Sequence, residues 1–137
     1  MTIVAYRPEH FTGVERLWEA CFPDDAPRNR AGAAIPAKVA HDDGLFFVAQ
    51  GPAGDVEGTI MAGYDGHRGW LYAVAVDPRM RQRGIGSALV EHACAELAAR
   101  GCGKVNLQVR EGNEAVLAFY EELGFAREPR VSLGRLL

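Results

Sequence analysis

The chain has 137 residues, 48% of them apolar, enough to bury one core without disulfides or a structural metal. Its 15 basic and 18 acidic residues leave a net charge of −3, without the broad positive field that phosphate-dominated nucleic-acid binding requires, so no nucleic-acid partner is expected. No apolar run approaches the roughly 20 residues of a bilayer span, and Met1 to Arg7 lack the basic-then-apolar layout of a signal peptide. The expectation is a single domain over residues 1–137, cytoplasmic and without a membrane partner.

Ile3 to Arg7 reads as a short strand, and Pro8 opens a helix in which Phe11, Val14, Leu17, Trp18 and Cys21 recur at helical spacing. From Phe22 to Asp43 the signal weakens, because Pro23, Pro27 and Pro36 interrupt it; the reading is a loop with a short helix. Leu45 to Gln50 and Val56 to Tyr64 read as a hairpin joined by the turn-forming run Gly51 to Asp55. After a second turn, Asp65 to Gly69, Trp70 to Val76 reads as a third, central strand.

A basic, glycine-bearing loop follows Asp77 and Pro78. It leads into a helix to about Arg100, with Ile85, Ala88, Leu89, Ala93 and Leu97 on one face and Gly101 as its stop. Val105 to Val109 is another strand, Asn113 caps a helix to about Leu123, and Ala126 to Leu133 is read as a last strand. Cys21, Cys94 and Cys102 cannot all pair and offer no CxxC, so each is expected as a small buried or half-buried thiol. His10, His41, His67 and His92 are scattered, and no metal is expected.

The segment from Val76 to Ser87 ends a strand, turns and starts a helix, which gathers unpaired backbone N–H groups. Gly84 and Gly86 allow close approach, the helix dipole adds partial positive charge, and Arg79, Arg81 and Arg83 add full charges, so a diphosphate suits the site. The Walker loop is excluded by the absent Gly-Lys-Ser/Thr ending. The dinucleotide fingerprint is excluded because Leu89 stands where its third glycine belongs and no acidic residue lies in Val105 to Val109.

Arg81-Gln82-Arg83-Gly84-Ile85-Gly86 resembles the acetyl-CoA motif of the GNAT N-acetyltransferases, Arg/Gln-x-x-Gly-x-Gly/Ala, preceded here by the Val-x-Pro of Val76 to Pro78. A second family element stands downstream, Asn113 to Phe125. The likeness is closest to the small bacterial YpeA-like branch, through Gly63 to Gly69 and Val131 to Gly134. It implies an α/β fold with a central mixed, mostly antiparallel sheet of about six strands, a splayed fourth and fifth strand, and helices on both faces.

By the same resemblance the co-substrate is acetyl-CoA, with no metal. The implied cofactor-binding residues are Val74, Ala75, Val76, Arg81, Gln82, Arg83, Gly84, Ile85, Gly86, Ser87, Asn113 and Tyr120. Main-chain amides of Arg81 to Gly86 would hold the diphosphate, and main-chain groups of Val74 and Val76 would pair with the pantetheine arm. The Val74 amide would face the developing oxyanion, and Tyr120 would give its proton to the departing sulfur as the catalytic residue. On spacing alone Tyr120 is a core position, since Val116, Phe119, Tyr120 and Leu123 make an apolar helix face.

Many relatives carry a glutamate on the strand before the loop, whereas Trp70 to Val76 has no carboxylate. Asp65, His67, Glu57 and Glu111 are conceivable bases and none is assigned. The acceptor, an amine on a small molecule or a protein, is expected to be selected by the first helices and the Phe22 to Arg30 loop, with Tyr64, Trp70 and Tyr72 nearby. A homodimer stays open. The alternatives are a non-catalytic acyl-CoA sensor of the same fold, or a nucleotide binder without CoA.

Overall fold

The computed structural model describes Met1–Leu137, which fall into two compact units, Met1–Leu107 and Gln108–Leu137. The first holds a five-stranded sheet in the order β1 (Thr2–Ala5), β2 (Phe46–Gln50), β3 (Val56–Tyr64), β4 (Gly69–Val76) and β5 (Val105–Asn106). β1 to β4 pair antiparallel, and β4 pairs with β5 in parallel, giving the mixed, mostly antiparallel sheet expected. No helix is long and apolar enough to cross a membrane.

Three helices cover the two faces of this sheet. α1 (Phe11–Cys21) and α2 (Ala31–His41) lie on one face, where Val14, Leu17, Trp18, Ala31 and Ile35 pack with Phe46, Val48, Met61 and Ala75. α3 (Ile85–Ala99) lies on the other and buries Ile85, Leu89, Val90, Ala93 and Leu97. Side chains alternate across a strand, so β2 sends Phe46 and Val48 one way and sets Phe47 edge-on to His92 of α3. A strand covered on both faces reads as a continuous apolar run, which β2 does. Each fully buried leucine or isoleucine in these layers contributes about 1.5–3 kcal/mol of transfer free energy.

Two sequence expectations are corrected. The stretch read as loop with a short helix holds a tight turn at Pro27–Asn29 and then the 11-residue α2, with Pro36 inside it. Proline in a helix interior costs about 3 kcal/mol. Ile35 and Ala31, both buried against α1 and the sheet, offset that cost, and Asp42 in a left-handed conformation (φ 53°) ends the helix.

The last expected strand, Ala126 to Leu133, does not form, and the strand expected over Val105 to Val109 is confined to Val105–Asn106. The sheet therefore counts five strands. A strand is stabilised by a neighbour and a buried face, and here Val131 and Leu133 stay 87% and 92% exposed, while Pro129 removes a donor. The second unit is instead built on α4 (Glu114–Glu122), whose N-terminus is capped by Asn113, with Oδ1 accepting from the Val116 amide at 3.4 Å. Arg127 pairs with Glu114 and Glu121 of that helix at 3.1 and 3.3 Å.

α3 can approach the sheet closely because β3 carries a glycine beneath it. A Cβ at Gly58 would stand 2.9 Å from both the Ala75 carbonyl oxygen and Leu89 Cδ1. Gly58→Ala is therefore expected to destabilise the protein by about 1–3 kcal/mol, read from chemical denaturation. An unchanged midpoint would mean that α3 adapts freely.

Candidate functional site

The site begins with an irregularity in β4. Thr59 pairs with Ala75 and Met61 with Tyr72, so between these pairs β4 advances three residues while β3 advances two, a bulge at Ala73 and Val74. Ala73 has φ 49°, a left-handed conformation that costs a non-glycine residue about 1–2 kcal/mol, so something must hold it. The Thr59 hydroxyl donates to the Ala73 carbonyl at 2.9 Å, and the Trp18 indole N–H donates to Thr59 Oγ1 at 2.9 Å.

A trans peptide is planar, with its N–H opposed to its C=O, and the chain has no cis bonds. With the Ala73 carbonyl drawn toward Thr59, the Val74 amide points away from β3. On the side of β4 away from β3, β5 runs only briefly: the β4–β5 ladder consists of Gly69 with Val105 and Trp70 with Asn106. Leu71 to Val76 have no β5 partner, which is the splay expected from the sequence. Val74 and Val76 are half-buried on this stretch and Ala75 is buried in the core, while the Val76 carbonyl accepts the Cys21 thiol at 3.4 Å.

At the end of β4, Asp77 caps a single turn over Pro78–Met80, and its carboxylate also takes the Arg79 guanidinium at 2.8 Å. Those bonds hold the Asp77 carboxyl below the usual range. The charge of Arg79 is thus engaged, and the exposed Arg81 turns its guanidinium to the Cys21 thiol, donating to Sγ at 3.8 Å, while Arg83 is exposed. Gln82 (φ 62°) and Gly84 (φ 81°) are both left-handed, and Gly84 is the N-cap of α3 with no side-chain cap bond. The first carbonyl–amide bond of the helix is Ala88 N–H to the Gly84 carbonyl, so the amides of Ile85, Gly86 and Ser87 have no helical acceptor. Alternating left-handed residues before a 15-residue helix make a concave array of N–H groups fit for linked phosphates.

In the second unit, Tyr120 is 8% exposed and lies edge-on to Phe119 and Phe125, at centroid distances of 4.9 and 5.5 Å. Burial pushes its phenol up to about 12, so it keeps its proton. Asn113 is exposed, with its side chain turned back to its own helix as the cap.

The sequence matches the acetyltransferase (GNAT) family over residues 11–125. This chain belongs to the GNAT acetyltransferase family. Enzymes of this family are acetyl-CoA-dependent transferases. The matched stretch runs through both units.

Among solved structures the GNAT chain is similar to a putative acetyltransferase from Agrobacterium tumefaciens, with 27% identity, 99% of this chain and 100% of that one covered, and a TM-score of 0.80. It is also similar to the ribosomal-protein-S18-alanine N-acetyltransferase of Escherichia coli, with 26% identity, 93% and 78% covered, and a TM-score of 0.73. An aminoglycoside N-acetyltransferase solved with CoA shares the fold at 21% identity, with 98% and 93% covered and a TM-score of 0.80.

Within the first unit of this GNAT chain, α1, the loop after it and the start of α2 line an open cavity of about 310 Å³, with Glu15, Trp18, Glu19, Phe22, Asp25 and Arg30 among its walls. The Phe22 to Arg30 loop was expected beside the acceptor. Glu15 and Glu19 were not foreseen, although their spacing on one helix face was legible. Tyr64, Trp70 and Tyr72 do not line this cavity: Tyr64 donates toward the Gly66 and Gly101 carbonyls, Trp70 sits half-buried at the β5 pairing, and Tyr72 is 53% exposed.

Of the conceivable bases, Asp65 is occupied by the amides of His67 and Arg68 at 2.8 Å, which is turn chemistry, and Glu57 is buried in β3 beside Gly51. No cluster of three or more His, Cys, Asp or Glu could hold a metal ion. His10 is buried between the Arg7 amide and Gln50, and burial lowers its pKa, as suits a structural imidazole.

Because Gly84 has open space around it but a left-handed backbone, Gly84→Ala tests backbone shape without a clash. The expected outcome is roughly tenfold weaker CoA binding by calorimetry, from about 1–2 kcal/mol of strain in the loop. Unchanged affinity would remove this turn from the coenzyme site.

Proposed function

We propose that the chain moves the acetyl group of acetyl-CoA to a primary amine by direct attack within a ternary complex, its two units working as one transferase domain. The observation that carries this reading is the bulge of β4, with the Ala73 carbonyl pinned and the Val74 amide turned to the unpaired edge. The amides of Arg81 to Gly86 hold the diphosphate, aided by Ser87 at the helix start, and Val74 to Val76 offer main-chain groups to the pantetheine arm. Asn113 contributes from the start of α4. Within the small bacterial branch of the family, Gly63 to Gly69 and Val131 to Gly134 remain the supporting residues, and the cytoplasm is the proposed compartment.

A thioester is already activated, so the protein's work is to position a neutral amine and to stabilise charge as it develops. The Val74 N–H supplies a preorganised donor for the developing oxyanion. Tyr120, held protonated, donates to the departing sulfur. β4 bears no carboxylate to accept the amine's proton. The same lack favours the second reading, a non-catalytic acyl-CoA-binding module.

The α1–α2 cavity carries the carboxylates of Glu15 and Glu19 beside the guanidinium of Arg30, whose Nε–H donates to the Asp25 carbonyl at 3.2 Å. With Trp18 and Phe22 as walls, this balance suits an acceptor that bears a further positive charge.

Release of free CoA thiol across a panel of amines tests the reading. Acceleration by at least one cationic amine is the expected result, and tight acetyl-CoA binding with no amine ever accelerating release would establish the sensor instead. Glu15→Gln with Glu19→Gln should raise the acceptor KM several-fold and leave the acetyl-CoA KM unchanged; equal KM values would clear the cavity of that role.

Tyr120→Phe should lower kcat by about 10²-fold, within the range for a lost general acid. The same residue gives a stability signature. Its folded pKa, about 12, lies above the ordinary value of 10, so its contribution is complete below about pH 10 and is lost as pH rises toward about 12. On the order of 2–3 kcal/mol should disappear across that window in the wild type and not in Tyr120→Phe.

A further inference from the structure

We infer that Thr59 and Trp18 are positioning residues for acetyl transfer, setting the Ala73–Val74 peptide so that its amide is aimed before the thioester arrives. The inference rests on the transferase reading above. Neither side chain needs to touch the reacting atoms; both act through the bulged peptide.

Thr59 stands in the middle of β3 with 0% exposure, between Gly58 and Ile60, where an apolar side chain would serve packing equally well. Its hydroxyl has one hydrogen to give, and both of its bonds are short, at 2.9 Å. An indole N–H can only donate, so the threonine oxygen must accept from Trp18, and its hydrogen is left for the Ala73 carbonyl. The direction of the relay is thereby fixed by chemistry. It ends on the residue whose left-handed backbone makes the bulge, and neither Ala73 nor Val74 has a register partner on β3.

A preorganised donor is effective because it need not reorient during reaction. Without the relay, the Ala73 carbonyl loses its side-chain acceptor bond and the peptide is free to rotate toward regular pairing, which turns the Val74 amide out of line. Trp18 also forms a wall of the acceptor cavity. The amine pocket and the aimed amide therefore share one rigid side chain, whose ring packs against Phe46 at 6.1 Å.

The test uses Thr59→Val, which keeps the shape and removes the hydroxyl, Thr59→Ser, which restores it, and Trp18→Phe, which keeps an aromatic ring without the donor. Turnover, CoA affinity by calorimetry and the thermal midpoint are measured for each, and the ¹⁵N–¹H signal of Val74 is followed as acetyl-CoA is added. Loss of the aimed donor predicts kcat lower by roughly 10- to 100-fold in Thr59→Val with CoA affinity within about twofold. Thr59→Ser should recover most of the rate, and Trp18→Phe should lose kcat in the same direction.

If Thr59→Val turns over like the wild type while the Val74 signal still responds to acetyl-CoA in both, the relay has no positioning role and the inference is overturned alone. If the Val74 signal of the wild type ignores acetyl-CoA, the transferase geometry itself fails and the inference falls with it. Should Thr59→Val not fold, a Trp18→Phe protein with undiminished kcat overturns the inference on its own.

Discussion

Burying a hydroxyl away from all water is tolerable only when its donor and its acceptor capacity are both used, and Thr59 meets that condition between Trp18 and the Ala73 carbonyl. The consequences spread along β4. A regular strand would spend every amide and carbonyl on its neighbours and leave no backbone donor for a ligand. The bulge withdraws one peptide from the ladder, and the departure of β5 after Trp70 leaves the stretch beyond it without a partner on that side. α1 contributes to the arrangement through one indole, so the helix that covers the sheet also shapes the strand beneath it.

Different physics governs the loop after β4. There the side chains mostly set backbone shape: Asp77 takes the amide and the guanidinium of Arg79, while Gln82 and Gly84 adopt left-handed conformations. Of three arginines that looked alike in the sequence, one is committed to an internal pair. Fixed main-chain dipoles at a helix start suit linked phosphates by geometry, and the proposed coenzyme site draws on that fit.

The sequence was informative wherever a local pattern carries the structure. The α1 stripe of Val14, Leu17 and Trp18, the hairpin turns and the glycine-bearing loop before α3 all follow from spacing and from residues with special backbone freedom. α2 was obscured by Pro36, a local penalty overcome by burial of Ile35 that only the tertiary structure reveals. Ala126 to Leu133 read as a strand, yet a strand needs a face to bury, and nothing covers Val131 and Leu133. The bulge at Ala73 has no signature in Leu71 to Val76, where alanine and valine suit a regular strand as well as an irregular one. The nearest hint was Thr59, a hydroxyl in the buried middle of β3, whose partner Trp18 is 41 residues away.

The central claim is that a side-chain relay aims one backbone amide of β4 at the acyl group. The most direct measurement is a crystal structure of the protein with acetyl-CoA or a non-transferable analogue. The account predicts Ala73 left-handed and bonded to Thr59, the diphosphate on the amides of the Arg81 to Gly86 turn, and Val74 N about 2.7–3.1 Å from the carbonyl oxygen. A peptide flipped so that the Ala73 carbonyl faces the acyl group, or a coenzyme seated away from β4, would contradict it.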